Sequence, residues 1–139
     1  MMSKVTVIYD AVQHCTAIVE GIGKSITAGA GKEYGGTGQE ISPIAMVGSS
    51  LGCCMLLAMG TLALRDGLDI SGASADVEVS LTDDPIFRIG SISMLFRMPR
   101  SYSKSDQSKL ERAAGKCPIK PSFHPDIPLS VRFEYPTVS

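Results

Sequence analysis

The feature that most constrains this chain is an uncharged run of 24 residues, 41–64. A run of that length could cross a bilayer as a helix. However, it contains glycine, serine and cysteine residues that lower its apolarity, and the segments on both sides have the alternating pattern of soluble strands. A helix that is apolar on all sides is also typical of a buried core helix. We therefore expect no membrane partner, and a helix buried inside the protein or a dimer.

The two ends of this helix are marked in the sequence. Ser42-Pro43 predicts the start, because serine is a preferred N-cap and proline suits the first helical position. Asp66-Gly67 predicts the end, near Arg65, since glycine commonly terminates a helix. Gly48 and Gly52 lie four residues apart on one face, which indicates close approach of a second helix.

The remaining chain predicts strands in consecutive groups. Helix 102–114, capped by Ser103 or Ser105, and a short helical element after Cys117 complete the pattern. Grouped strands favour an α+β fold with largely antiparallel sheets. The length of 139 residues suits a single domain over 1–139. The predicted strands are residues 4–9, 14–20, 24–28, 73–82, 86–97 and 127–135. The glycine-rich residues 29–38 predict a flexible loop.

Composition excludes several classes of function. The chain has 13 basic and 14 acidic residues and no tryptophan, so it lacks the basic excess and stacking surface of a nucleic-acid binder. Four cysteines without CxxC spacing and two histidines argue against a metal site. The N-terminus has no signal-peptide pattern, so we expect a cytoplasmic protein with reduced thiols.

Two cysteines stand out by their position. Cys54 lies well inside the predicted helix, and Cys117 opens a short element where a helix N-terminus would lower a thiol pKa. Either cysteine could instead be a small buried hydrophobe.

The surroundings of these cysteines resemble one family. Ser42-Pro43 is followed eleven positions later by Cys54, with Leu51-Gly52 just before it, and the later segment reads Lys116-Cys117-Pro118-Ile119. This pattern resembles the OsmC/Ohr superfamily of osmotically inducible and organic hydroperoxide resistance proteins, over essentially the whole chain. The resemblance implies an OsmC-like fold, with antiparallel sheets around long central helices in an intertwined homodimer.

The same resemblance implies a chemistry without a bound cofactor. Active family members are thiol-dependent peroxidases in oxidative stress defence. Cys54 would attack an organic or hydrogen peroxide and become a sulfenic acid, Cys117 would condense with it to a disulfide, and a dithiol would reduce that bond. An apolar pocket would hold the organic part of the peroxide, with four candidate lining residues, Met46, Met55, Met59 and Phe123.

The chain departs from the family pattern around the nucleophile. Active members stabilise the thiolate with an arginine from the N-terminal strands, but no arginine precedes Arg65 here. The residues after Ser42-Pro43, where the family has a glutamate, are not acidic. The candidate replacements are Lys24, Lys32 and Glu40. An active Cys54 is expected to titrate below the free-cysteine pKa of about 8.5.

Two other readings remain open. The chain could be a non-catalytic OsmC-like dimer that binds a small apolar ligand in the interface pocket. It could also be a structural dimer with inert buried thiols, although that reading leaves the two matched cysteine contexts unexplained.

Overall fold

The structure is a computed structural model that describes residues 3–137. The chain divides into two compact units, with the boundary between Val47 and Gly48. The α+β fold class is confirmed, with two α-helices and two three-stranded sheets among the described residues. The single domain over 1–139 stays a prediction.

The N-terminal unit contains a meander of three strands. They are β1 (Val5–Ala11), β2 (His14–Val19) and β3 (Ser25–Gly29), and both neighbouring pairs are antiparallel. Gly21 and Gly23 both have positive φ values, which confirms the turn predicted between β2 and β3.

The glycine-rich loop of this unit is more ordered than the sequence predicted. It contains a short 3₁₀ turn, Lys32–Tyr34. The Gln13 side-chain amide donates to the Tyr34 carbonyl at 2.6 Å, and the Ala30 N–H donates to the Gln13 carbonyl at 3.1 Å. The loop is therefore anchored to the β1–β2 turn, which corrects the expectation of a flexible flap.

Helix α1 (Pro43–Asp66) has the predicted bounds. The Ser42 hydroxyl accepts a hydrogen bond from the Ala45 N–H at 3.1 Å, so the predicted N-cap is confirmed. At the other end Gly67 has a φ of 70°, and the Leu68 N–H donates to the Ala63 carbonyl at 2.8 Å. This is a C-terminal cap built on a left-handed glycine.

In the C-terminal unit, α1 is a core helix. It is long and apolar enough to cross a membrane by length and composition, a test that the core helix of a soluble protein also passes. Leu51, Met55 and Met59 are buried in the main hydrophobic cluster. The same cluster contains Phe96, whose ring stacks on Phe133 with centroids 5.1 Å apart.

Gly48 and Gly52 pack against a strand and not against the predicted second helix. A Cβ atom built on Gly48 would lie 3.0 Å from a Val79 methyl, and one on Gly52 would lie 3.1 Å from a Val77 methyl. These valines belong to a strand, so the glycines let a sheet approach the helix. The prediction of a second helix at this face is wrong, because small residues admit any close neighbour and do not specify which kind.

The C-terminal sheet has the order β4 (Ser74–Thr82), β5 (Arg88–Arg97) and β6 (Leu129–Glu134). Strands β4 and β5 form the predicted antiparallel hairpin, but β6 pairs with β5 in parallel. A parallel pair needs a crossover connection, and the long segment between these strands supplies it.

That crossover carries α2 (Lys104–Ala114) and a 3₁₀ turn (Lys120–Ser122). The Ser103 hydroxyl accepts from the Asp106 N–H at 3.1 Å, so Ser103 is the N-cap. The short helical element predicted to open at Cys117 is only this single turn, and it begins three residues later.

Candidate functional site

The two cysteines singled out by sequence come together in the C-terminal unit. Cys54 is half-buried on α1, whereas Cys117 is only 1% exposed in the crossover after α2. Both are free thiols, and their side chains lie close enough to interact through a hydrogen bond. The two sulfur atoms, 63 positions apart in the sequence, therefore form one dithiol site.

The segment that holds Cys117 is fixed by its own backbone hydrogen bonds. The Lys116 N–H donates to the Ala113 carbonyl at 3.0 Å, which continues the end of α2. Beyond the cysteine, the Ser122 hydroxyl donates to the Pro118 carbonyl at 2.9 Å. These contacts on both sides of Cys117 restrict where its sulfur can lie.

The electrostatics of the pair favour a protonated Cys54. The hydrogen bond with Cys117 raises the pKa of the Cys54 thiol, and burial raises it further. The backbone N–H of Ile119 acts in the opposite direction, because it donates to the sulfur and lowers the pKa. Among the described residues of the C-terminal unit, no cationic side chain is a cause of this pKa shift. The expectation of a lowered pKa is therefore wrong for this arrangement, because a thiol partner takes the place of a cation.

The four predicted pocket residues lie in different environments. Met55 and Met59 are fully buried in the core cluster, and Met46 is half-buried near the start of α1. Phe123 lines an open cavity of about 540 Å³, together with residues of the crossover that include Lys120 and His124.

The predicted activating groups Lys24, Lys32 and Glu40 belong to the N-terminal unit. Lys24 precedes β3, and Lys32 begins the 3₁₀ turn. The Glu40 carboxylate lies 3.2 Å from Nε2 of His14, and a Cβ atom on Gly29 would collide with it. Glu40 is therefore held in place by its own unit.

Sequence reasoning missed the role of His14. Its Nδ1 lies 2.5 Å from an Asp10 oxygen, and the Thr16 hydroxyl donates to the other Asp10 oxygen at 2.6 Å. The hydrogen bond with Asp10 raises the pKa of His14, and the charge of Glu40 adds to the effect. We call Asp10, His14, Thr16 and Glu40 the histidine cluster. A signal was present, because only three residues separate Asp10 from His14 around the tight β1–β2 turn.

The histidine cluster does not have the ligands of a metal centre. Among residues 3–137, no group of three or more His, Cys, Asp or Glu side chains could hold a metal ion.

Comparison with known proteins identifies the family. The OsmC-like protein family matches residues 36–132, which include both cysteines of the dithiol site. The chain belongs to the OsmC-like protein family. A search of curated proteins found no match for this OsmC-like chain.

Solved structures of the same family share the fold over nearly full length. A protein from Psychrobacter arcticus 273-4, provisionally assigned to the osmotic stress and detoxification response, is 27% identical, with a TM-score of 0.88 over 96% of this chain and 97% of that chain. An OsmC-like protein from Mycoplasma pneumoniae is 18% identical, with a TM-score of 0.80 over 99% of both chains.

The structural relatives also include hydroperoxide resistance proteins. The organic hydroperoxide resistance protein OhrB of Bacillus subtilis is 15% identical, with a TM-score of 0.70 over 96% of this chain and 98% of that chain. At this identity the likeness establishes the fold of the OsmC-like chain and leaves its activity to its own residues.

Proposed function

We propose that this OsmC-like protein is a thiol-dependent peroxidase that reduces organic or hydrogen peroxides in oxidative stress defence. The observation that carries the proposal is the contact between the free thiols of Cys54 and Cys117. A pair of adjacent thiols can donate two electrons and become a disulfide, which is the change that reduction of one peroxide requires.

The reaction balances with these two cysteines and an external dithiol. The Cys54 thiolate attacks one oxygen of the peroxide, the O–O bond breaks, and the other oxygen leaves as an alkoxide that takes a proton to form an alcohol. The resulting sulfenic acid of Cys54 condenses with Cys117, which releases water and forms a disulfide. A dithiol then reduces this bond by exchange and becomes a disulfide itself.

The difference in accessibility supports the proposed division of roles between the two cysteines. A peroxide must reach the attacking sulfur, and Cys54 is half-buried whereas Cys117 is only 1% exposed. Cys54 also has the Ile119 N–H, a donor that stabilises a developing thiolate. Cys54 is therefore the proposed nucleophile, and Cys117 is the proposed resolving cysteine.

The proposal also includes charged groups of the N-terminal unit as candidates for activating Cys54. The pKa of Cys54 is raised, so a cation is needed for fast reaction at neutral pH. Lys24 and Lys32 are the proposed sources of that charge, with Glu40 as an orienting group. Of the proposed pocket residues Met46, Met55, Met59 and Phe123, Phe123 has the most direct structural support, because it lines a cavity.

A second copy of the chain is the proposed protein partner. Leu57 and Leu64 of α1 are 66% and 87% exposed, although they belong to the most apolar segment of the chain. Such residues on one helix indicate a surface that is covered in an assembly. We also propose a cytoplasmic location, which agrees with four reduced cysteines.

The test is consumption of cumene hydroperoxide and hydrogen peroxide with dithiothreitol as the reductant. The wild type should turn over, and Cys54→Ser should fall to the uncatalysed rate because the attacking sulfur is gone. Cys117→Ser should lose turnover but still form one equivalent of sulfenic acid, which a dimedone probe detects.

Two other cysteines provide matched controls. Cys53→Ser and Cys15→Ser each remove one sulfur outside the pair and should leave turnover unchanged. Full activity of Cys54→Ser would contradict the proposal. An inactive wild type that binds a neutral apolar probe would instead support the non-catalytic ligand-binding alternative.

A further inference from the structure

Two adjoining cavities form a cleft that is lined by residues of α1, of α2 and of the segment that follows α2. Their volumes are about 320 and 190 Å³, and both are lined by Leu62, Arg65, Ala113 and Lys116. Because they share these four residues, the cavities make one continuous space, which we call the basic cleft. A space of this size is within the range of small-molecule sites.

The basic cleft concentrates positive charge in a chain whose net charge is −1. Its four cationic side chains are Arg65, Lys109, Arg112 and Lys116, and no acidic residue lines either cavity. Asp66 lies 3.1 Å from Arg65 and 3.7 Å from Lys109. Arg112 and Lys116 have no carboxylate partner among residues 3–137.

Three of these cations line the same cavity at the end of α2. Lys109 and Arg112 are three residues apart in α2, and Lys116 follows two residues after its end. Like charges three residues apart on a helix face each other and repel. A bound anion would offset that repulsion and would pair with Arg112 and Lys116.

We propose that the basic cleft binds a small phosphorylated organic molecule. A phosphate group carries a charge near −2 at neutral pH and matches the planar fork of arginine, so Arg112 and Lys116 would hold it. The remaining surface includes Ala58, Leu62 and Ala113, which suit an apolar body attached to the phosphate. This site involves neither cysteine of the dithiol pair, so it does not depend on the proposed peroxidase function.

The test is titration of the wild type with phenyl phosphate, inorganic phosphate and phenol at constant ionic strength, followed by calorimetry. Phenyl phosphate should bind more tightly than inorganic phosphate, because its ring adds apolar contact, and phenol should not bind measurably. The double variant Arg112→Ala/Lys116→Ala should weaken phenyl phosphate binding by about tenfold or more, as expected for loss of charged hydrogen bonds.

Two further variants separate a built site from general attraction. Lys104→Ala/Arg132→Ala removes the same charge from positions of the same unit that line neither cavity, and it should leave binding unchanged. Asp66→Asn removes the competing carboxylate and should tighten binding. Cys54→Ser should bind like the wild type.

Three results would overturn the proposal. They are undetectable binding of phenyl phosphate to the folded wild type, equal losses in both double variants, and inorganic phosphate that binds as tightly as phenyl phosphate. The last result would show that the apolar surface contributes nothing. Circular dichroism of each variant verifies that it is folded, and surface substitutions of this kind seldom change stability by more than about 0.5 kcal/mol.

Discussion

The two units of the molecule differ in how they distribute apolar side chains. In the C-terminal unit, the second half of β5 alternates between buried and more exposed residues, and Ile92, Met94 and Phe96 are almost completely buried. In the N-terminal unit every residue of β1 is exposed, including Val7, which is 63% exposed. The C-terminal unit therefore has its own hydrophobic core, whereas residues 3–137 provide no such cover for the apolar residues of β1.

The polar sites of the two units also differ in their chemistry. The histidine cluster of the N-terminal unit joins an imidazole to two carboxylates through short polar contacts. The dithiol site of the C-terminal unit is formed by two weakly polar groups beside a hydrophobic core. Charge dominates the contacts of the histidine cluster and burial dominates the surroundings of the dithiol site, so pH and core substitutions should act on the two sites differently.

The largest expected effect comes from the core of the C-terminal unit. Phe96→Ala removes a fully buried ring that stacks on Phe133, and it should lower the free energy of unfolding by about 3–5 kcal/mol. Val7→Ala in exposed β1 should change it by about 0.5 kcal/mol or less. Urea denaturation of both variants measures the contrast.

Repeating both measurements at several protein concentrations would sharpen this comparison. If Val7→Ala costs as much as a core substitution at high protein concentration, and less on dilution, a second copy of the chain covers β1. If Phe96→Ala costs no more than Val7→Ala at any concentration, the distinction between the two units is wrong.

The second-largest expected effect is on the pH dependence of the alkylation rate of Cys54. Its pKa is raised chiefly by the hydrogen bond with Cys117, so its alkylation rate should still increase above the ordinary cysteine pKa of about 8.5. In a Cys15→Ser/Cys53→Ser background, iodoacetamide labelling followed by mass spectrometry reports on Cys54. Adding Cys117→Ala removes the main cause of the shift, so the rate profile should move to lower pH.

A profile that levels off below pH 8 in the parent protein would contradict this reading. It would show that a cation, such as the proposed Lys24 or Lys32, acts on the sulfur and outweighs the thiol partner. Lys24→Met and Lys32→Met would then identify which lysine supplies the charge.

The sequence predicts those parts of the fold that depend on local chemistry. The start of α1 at Ser42-Pro43 was correct because an N-cap hydrogen bond spans three residues. The two strands of the β4–β5 hairpin were also predicted, because alternation of apolar residues is a local pattern. The parallel pairing of β6 was missed, since strand direction depends on how the crossover folds. The strand neighbours of Gly48 were missed because the chain brings them from far away.

The candidate site was only partly predictable for the same reason. The pairing of Cys54 with Cys117 was expected from family resemblance, since no spacing rule joins residues so far apart. The raised pKa of Cys54 depends on which atoms surround its sulfur, and the sequence does not specify them. The sequence analysis assigned no role to His14, although its closeness to Asp10 around the β1–β2 turn was visible in the pattern.

The smallest expected effect is a pH dependence in the N-terminal unit. The pKa of His14 is raised in the folded state by Asp10 and Glu40, so folding favours the protonated imidazole. The contribution of this histidine to stability is fully present below its unfolded pKa of about 6.5 and is lost as pH rises through the folded pKa. Asp10 has a lowered pKa, so its contribution is lost at the acidic end instead.

Proton NMR can test this directly, because the chain has only two histidines. In a His124→Gln variant the remaining imidazole signal belongs to His14, and it should titrate above pH 6.5. Glu40→Gln should move that titration slightly towards lower pH, and Asp10→Asn should move it further, because Asp10 makes the dominant hydrogen bond. A His14 titration at or below 6.5 would mean that charge does not organise the N-terminal unit, and the contrast with the thiol-containing unit would then rest on burial alone.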